Sequence, residues 1–213
     1  MLPGLADAVL ALLALTLTGL AIKFMDDHLD QELDAASGVK NWALWLGPGV
    51  MPYALLFLSL AAAIRPALSL PLFLAAYALG MIRTPLALNP SGLAAIWETA
   101  LVFLLGVFLF GWRPVLWGFS FLGAVQIADD LLDQSSPAHL LERTPQRPAG
   151  RRLSFGRFSF EWEASDRLEK GLAFIVLLLF SLRLSWGPTV AGLVAAAGIM
   201  IASAVIPRLP PAE

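Results

Sequence analysis

The chain has 213 residues, of which 58% are hydrophobic and only 14% are charged, and its formal net charge is −2. In a typical soluble domain about a quarter of the residues are charged. This composition therefore excludes a soluble globular enzyme, a disordered chain and a nucleic-acid-binding protein. The chain has no cysteine and two histidines, which excludes disulfides, thiolate catalysis and cysteine-ligated metals and argues against a histidine-rich metal site. The composition predicts an integral membrane protein.

Apolar segments separated by proline and glycine predict seven membrane-spanning helices. In chain order they are Leu5–Met25, Val50–Ile64, Leu68–Met81, Leu93–Trp112, Val115–Ala128, Gly171–Leu184 and Thr189–Ile206. The first lacks the basic start and the small-residue cleavage site of a signal peptide, so we interpret it as a retained helix. We expect an all-α, polytopic transmembrane bundle in a single domain over residues 1–213, with a polar loop at about 134–170.

The basic residues predict the orientation of this bundle. If seven helices cross the membrane in alternating directions, the loops after the first and fifth helices lie on the same side. Eleven of the fourteen Lys and Arg residues fall on that side. Only Arg65, Arg113 and Arg183 fall on the other side. Because Lys and Arg accumulate in cytoplasmic loops, we expect a multi-pass protein with its N-terminus outside and both acidic loops in the cytoplasm.

Two acidic segments share the pattern Asp-Asp-x-Leu-Asp-Gln, and each ends a predicted span on the cytoplasmic side. Their aspartates are Asp26, Asp27, Asp30 and Asp34 in the first segment and Asp129, Asp130 and Asp133 in the second. Residues three, four or seven apart share a helix face, so each segment forms a ladder of carboxylates. Carboxylates 4 Å apart repel by about 4 kcal/mol at an effective dielectric near 20, and at a helix C-terminus they also oppose the helix dipole.

A cation would relieve this repulsion, and ligands that are all oxygen suit Mg²⁺ or Ca²⁺. Mg²⁺ takes one or two carboxylates and completes its shell with water and phosphate oxygens. Two facing ladders therefore predict Mg²⁺ ions around a diphosphate. Basic residues follow each ladder, and we interpret Lys40, Arg143 and Arg147 as diphosphate ligands beside ordinary positive-inside charge.

Three other polar residues lie inside predicted spans. Glu98 is an intramembrane acid that either takes a proton or steers a cation, or else packs as a hydrogen-bonded acid. Gln126 lies one turn before Asp130 and either supports a metal-bound water or packs between helices. Lys23, four residues before Asp27, either pairs with it, contributing to the diphosphate site, or extends its ammonium to the interface.

These motifs resemble those of the UbiA superfamily of intramembrane prenyltransferases. The segment Asp129-Asp130-x-x-Asp133, followed by Arg143-Thr144-x-x-Arg147-Pro148 and Gly150, is similar to the family's first motif, but it lacks the last Asp and has about one inserted residue. The segment Asp30-x-x-x-Asp34-x-x-x-Gly38-x-Lys40 is similar to the second motif. The two motifs thus stand in swapped order, and the family usually has nine helices, so both a permuted and a truncated arrangement are open.

The resemblance implies that Mg²⁺ on the aspartates binds a polyprenyl diphosphate and promotes its ionisation, after which a lipophilic acceptor receives the prenyl group. It implies a UbiA-like fold in a lipid bilayer, with nucleic acid playing no part. One alternative is a membrane terpene cyclase on the same scaffold. Another, from a different class, is a divalent-cation transporter that uses the acids as a vestibule. A CDP-alcohol phosphotransferase is disfavoured because its Asp-Gly-x-x-Ala-Arg element does not occur here.

Overall fold

A computed structural model describes residues 4–37, 40–82, 91–133 and 167–205, and these residues form an all-α structure. The long helices are α1 (Leu5–Leu29), α4 (Val50–Ile64), α5 (Pro66–Ile82), α6 (Ala95–Phe110), α7 (Trp112–Asp133), α8 (Arg167–Leu184) and α9 (Trp186–Val205). Between α1 and α4 lie two short helices, α2 (Gln31–Ser37) and α3 (Trp42–Leu46), and a 3-10 turn at Gly47–Gly49. The all-α expectation is confirmed.

Three helical stretches in the described part of the chain are long and apolar enough to cross a membrane. They are Leu5–Leu29, Trp42–Ile64 and Trp186–Val205. α5 and α6 are apolar but have 17 and 16 residues, which is shorter than the roughly 20 residues that a full span needs. α7 and α8 begin and end near charged residues. Helices of the expected kind are therefore present, and the count of seven spans stays a prediction.

Proline and glycine set the sharp reversals between helices. Pro66 begins α5, where its missing N–H costs nothing because the first turn has no intrahelical acceptor. Gly111 separates α6 from α7 with a φ of 82°, and its N–H donates to the Val107 carbonyl over 2.9 Å. A side chain at that φ would be strained, so glycine permits a one-residue hairpin between the two helices.

Small residues bring the central helices into close contact. A Cβ added at Gly118 on α7 would lie 2.9 Å from the Pro71 carbonyl oxygen of α5. A Cβ at Gly192 on α9 would lie 2.6 Å from the ring of Phe121, which stacks on Trp117 with 5.5 Å between centroids. Close approach through small residues is how helices gain packing energy where burial from water is not available.

Buried polar pairs also join the helices. The Trp117 indole N–H donates to the Thr189 hydroxyl over 3.0 Å and links α7 to α9. Ser181 on α8 donates to the Ser120 hydroxyl on α7 over 3.1 Å. Each of these side chains is at most 5% exposed, and satisfying such groups internally matters most where water is excluded.

Candidate functional site

The C-terminal ends of α1 and α7 lie at the same end of the bundle. The Lys23 ammonium lies 2.8 Å from the Asp27 carboxylate on its own helix. It also interacts electrostatically with Asp26 and with Asp129, which is on α7. We call this region, which holds Asp26–Asp34 and Asp129, the acidic end. Lys23 is thus paired with Asp27 and lies at the end of the bundle that also holds Asp129 of the second acidic segment.

Asp27 is directed into the protein. Its side chain is buried, with the residue only 3% exposed. One carboxylate oxygen pairs with Lys23, and the other accepts a hydrogen bond from the Trp42 backbone N–H over 2.8 Å. Both oxygens of Asp27 therefore have protein partners, and the carboxylate ties the start of α3 to α1.

The side-chain amide of Asn41 joins α1, α2 and α3. Its side-chain oxygen caps α3 by accepting from the N–H groups of Ala43, at 2.7 Å, and Leu44, at 3.2 Å. Its amide nitrogen donates to the Asp27 carbonyl and to the Asp34 carboxylate, each over 2.7 Å. Two acceptor and two donor positions are all that an amide side chain has, so buried Asn41 is fully hydrogen-bonded.

Asn41 was not predicted as a site residue, and only one sequence signal pointed to it. An Asn directly before an apolar stretch is a typical helix N-cap. Its contacts to Asp27 and Asp34 depend on a chain reversal that no local pattern reveals. We name Asp27, Asp34, Asn41 and the Trp42 N–H together the Asn41 latch.

The latch divides the first predicted ladder into two groups. α1 ends at Leu29, and α2 begins at Gln31. Asp34 is turned toward Asn41, whereas Asp26 and Asp30 are exposed. On the other segment, Asp129 is exposed as well. The aspartates that present their side chains to solvent at the acidic end, among those described, are therefore Asp26, Asp30 and Asp129.

These carboxylates do not form a closed metal cage by themselves. Within the described ranges, no group of three carboxylate or imidazole side chains is close enough to hold a metal ion. Asp130 and Asp133 lie in the last turn of α7, but their side chains fall outside the described part of the structure, as do Arg143 and Arg147 entirely. The role predicted for these four residues therefore stays a prediction.

Lys40 and Trp42 connect the latch to the end of α9. The Lys40 ammonium donates to the carbonyl oxygen of Ala204 in the last turn of α9. The Trp42 indole N–H donates to the Ser203 hydroxyl over 3.1 Å. A cation at a helix C-terminus binds unpaired carbonyls and is favoured by the helix dipole. In this structure Lys40, which the sequence suggested as a diphosphate ligand, serves as a helix cap.

Glu98 and Gln126 occupy half-buried positions. Glu98 lies in the first turn of α6, and its carboxylate accepts a hydrogen bond from the Tyr77 hydroxyl on α5. This hydrogen bond is what we expect if Glu98 packs as a hydrogen-bonded acid. The alternative, that Glu98 takes a proton or steers a cation, stays a prediction. Gln126 lies on α7 one turn before Asp130, as the sequence spacing requires.

A groove lies at the opposite end of the bundle, between α1, α5 and α9. Its volume is about 540 Å³, and it is lined mainly by apolar side chains. Asp7 and Arg65 stand at its rim. None of the acidic-end aspartates lines this groove, so it is separate from the predicted diphosphate site.

In comparisons with known proteins, no protein-family model matches the chain, and neither a curated protein nor a solved structure matches it. The resemblance to the UbiA superfamily therefore rests on the spacing of the acidic and basic residues alone.

Proposed function

We propose that this chain is an Mg²⁺-dependent intramembrane prenyltransferase that acts at the acidic end. The observation that carries the proposal is the position of Lys23, which interacts with carboxylates from both α1 and α7. A diphosphate is a multiply charged anion, and a site for it needs oxygen ligands for a divalent cation together with fixed positive charge. The acidic end offers both kinds of group within one region.

The donor set is compatible with Mg²⁺. Asp26, Asp30 and Asp129 are exposed carboxylates and would hold the ion, and Mg²⁺ commonly uses only one or two carboxylates with substrate phosphates completing its shell. When bound, Mg²⁺ supplies the charge that stabilises diphosphate as it leaves. Lys23, fixed by Asp27, places a further positive charge beside the same carboxylates.

The latch has a distinct role in this proposal. Asp27 and Asp34 have protein partners, so they orient the end of α1 rather than bind the substrate. Arg143 and Arg147 follow α7 in the chain and would donate hydrogen bonds to phosphate oxygens from their planar guanidinium groups. The proposal includes a UbiA-like, multi-pass topology with the acidic end in the cytoplasm, which the excess of basic residues around the acidic segments supports.

The experiment is a turnover assay on protein purified into lipid nanodiscs. The protein is incubated with Mg²⁺, prenyl diphosphates of several chain lengths and a lipid extract as the source of acceptor, and released diphosphate is measured. Asp129→Asn and Asp26→Asn each remove a charged ligand, so we expect turnover to fall by more than about tenfold, equivalent to about 1.4 kcal/mol of activation free energy.

Glu32→Gln is the matched control. Glu32 is an exposed acid in the same segment but has no assigned role, so its variant should retain wild-type turnover. Equal turnover in Asp129→Asn and Glu32→Gln would contradict the two-segment site. Absence of diphosphate release with every substrate would overturn the prenyltransferase proposal, and release with a cyclised product and no acceptor would favour the terpene cyclase.

A further inference from the structure

The groove between α1, α5 and α9 combines an apolar interior with a charged rim. Its interior is formed by side chains such as Leu12, Leu68 and Ala191. At the rim, an Arg65 N–H donates to the Asp7 carboxylate, and the same nitrogen lies 3.4 Å from the Asp7 carbonyl oxygen. Its volume of about 540 Å³ lies within the roughly 300–1,000 Å³ of ordinary ligand pockets.

This groove is distant from the acidic end. Asp7 and Asp26 lie on the same helix, 19 residues apart, and at 1.5 Å per residue their backbones are separated by about 28 Å along the axis. A ligand anchored at the rim therefore does not use the proposed diphosphate site. The inference below is independent of the proposed function.

The rim presents one positive and one negative group side by side. The Asp7 side chain is 58% exposed and the Arg65 side chain 33% exposed, so both can bind an outside partner while remaining paired. Asp7 can accept hydrogen bonds, and the guanidinium of Arg65 has five N–H donors. Trp186, which is 55% exposed, lines the same rim, and tryptophan side chains of this kind concentrate at the membrane–water interface.

We infer that the groove binds a zwitterionic aminophospholipid, with one acyl chain in the apolar interior and the headgroup on the ion pair. The lipid phosphate accepts hydrogen bonds from Arg65, and the lipid ammonium donates to Asp7. A choline headgroup has no N–H to donate, and a glycerol headgroup has no cation for Asp7. The arrangement of charges therefore selects phosphatidylethanolamine over phosphatidylcholine and phosphatidylglycerol.

Native mass spectrometry tests this inference with the full chain in nanodiscs made of equal parts of the three lipids with identical acyl chains. We expect the wild-type protein to retain phosphatidylethanolamine over phosphatidylcholine by about tenfold, which one charge-assisted hydrogen bond supplies. Asp7→Asn should bring that ratio near one, whereas Arg65→Gln should lower retention of all three lipids. Arg113→Gln is the control, since Arg113 lies near the start of α7 over the Trp112 ring and outside the groove.

A second pair of variants leaves the ion pair intact. Val194 lines the groove and is 57% exposed, so Val194→Trp fills the space without entering the core and should abolish lipid retention. Ile201 lies on the same helix, is 67% exposed and does not line the groove, so Ile201→Trp should retain lipid as wild type does. A wild-type ratio near one, or equal retention by the Val194→Trp and Ile201→Trp proteins, would overturn the inference.

Discussion

The contribution of Asn41 to stability can be measured by comparing two substitutions. Asn41→Ala removes the cap of α3, worth about 1 kcal/mol. It also removes two donated hydrogen bonds, one to the Asp27 carbonyl and one to the Asp34 carboxylate, whose loss together costs about 2 kcal/mol. We therefore expect the free energy of unfolding to fall by about 3 kcal/mol. Asn41→Ser keeps an oxygen that can cap a helix but loses the two amide N–H donors, so it should cost about 2 kcal/mol.

Unfolding in mixed micelles titrated with sodium dodecyl sulfate, followed by tryptophan fluorescence, gives the two free energies. Hydrogen exchange gives a local measurement, because the N–H groups of Ala43 and Leu44 bind the capping oxygen. These amides should exchange faster in Asn41→Ala than in Asn41→Ser. The reasoning is refuted if Asn41→Ala changes the free energy of unfolding by less than about 0.5 kcal/mol, the range of ordinary surface substitutions.

Three further predictions concern packing, buried polarity and topology. Gly118→Ala should lower the free energy of unfolding by about 1–3 kcal/mol because its Cβ meets the backbone of α5. Gly198→Ala is the control and should not lower it, because a Cβ at Gly198 meets nothing within 4 Å. Equal stability of the two variants would contradict the close contact. Trp117→Phe should lower the free energy of unfolding by more than about 0.6 kcal/mol in the same measurement, because it leaves the Thr189 hydroxyl without its donor and a gap beside Phe121. A cost no greater than that of Trp112→Phe, at an exposed position, would contradict this prediction. In a chain without native cysteine, Glu169→Cys and Arg183→Cys at the two ends of α8 should react with impermeant thiol reagents from opposite sides, and labelling of both from one side would show that α8 does not span.

Much of the helical architecture could be predicted from the sequence, because apolar length and proline position decide where such helices form. The predicted segment Val50–Ile64 matches α4 residue for residue, and Pro66 begins the next helix as a proline at a first turn should. α7 is longer than its predicted apolar segment, since the helix continues through the acidic residues to Asp133. Apolarity predicts only the part of a helix that suits lipid, and the polar extension was predicted instead by the helical spacing of the aspartates.

The arrangement of side chains at the acidic end was harder to predict from the sequence than the positions of the helices. Helical spacing predicted that Asp26, Asp30 and Asp34 would share a face, but it could not predict that Asp34 turns to Asn41. By contrast, i,i+4 spacing offered the pairing of Lys23 with Asp27 as one of two alternatives, and the structure shows that pair, whose partners are on one helix. The Trp42 N–H that occupies the other Asp27 oxygen comes from a separate element. Contacts across a chain reversal depend on three-dimensional packing, which a periodic pattern does not contain.

The contacts of Lys40 and Trp42 with the last turn of α9 have a consequence for biosynthesis. The partners are 164 and 161 residues apart, and at about 5–20 residues per second a ribosome needs roughly 8–30 s to make the intervening chain. During this interval, the Lys23–Asp27 pair can already form, since both residues emerge together. The surface of α1 that packs against α9 stays uncovered by α9 until then. Assembly of the bundle therefore finishes only after α9 has been synthesised.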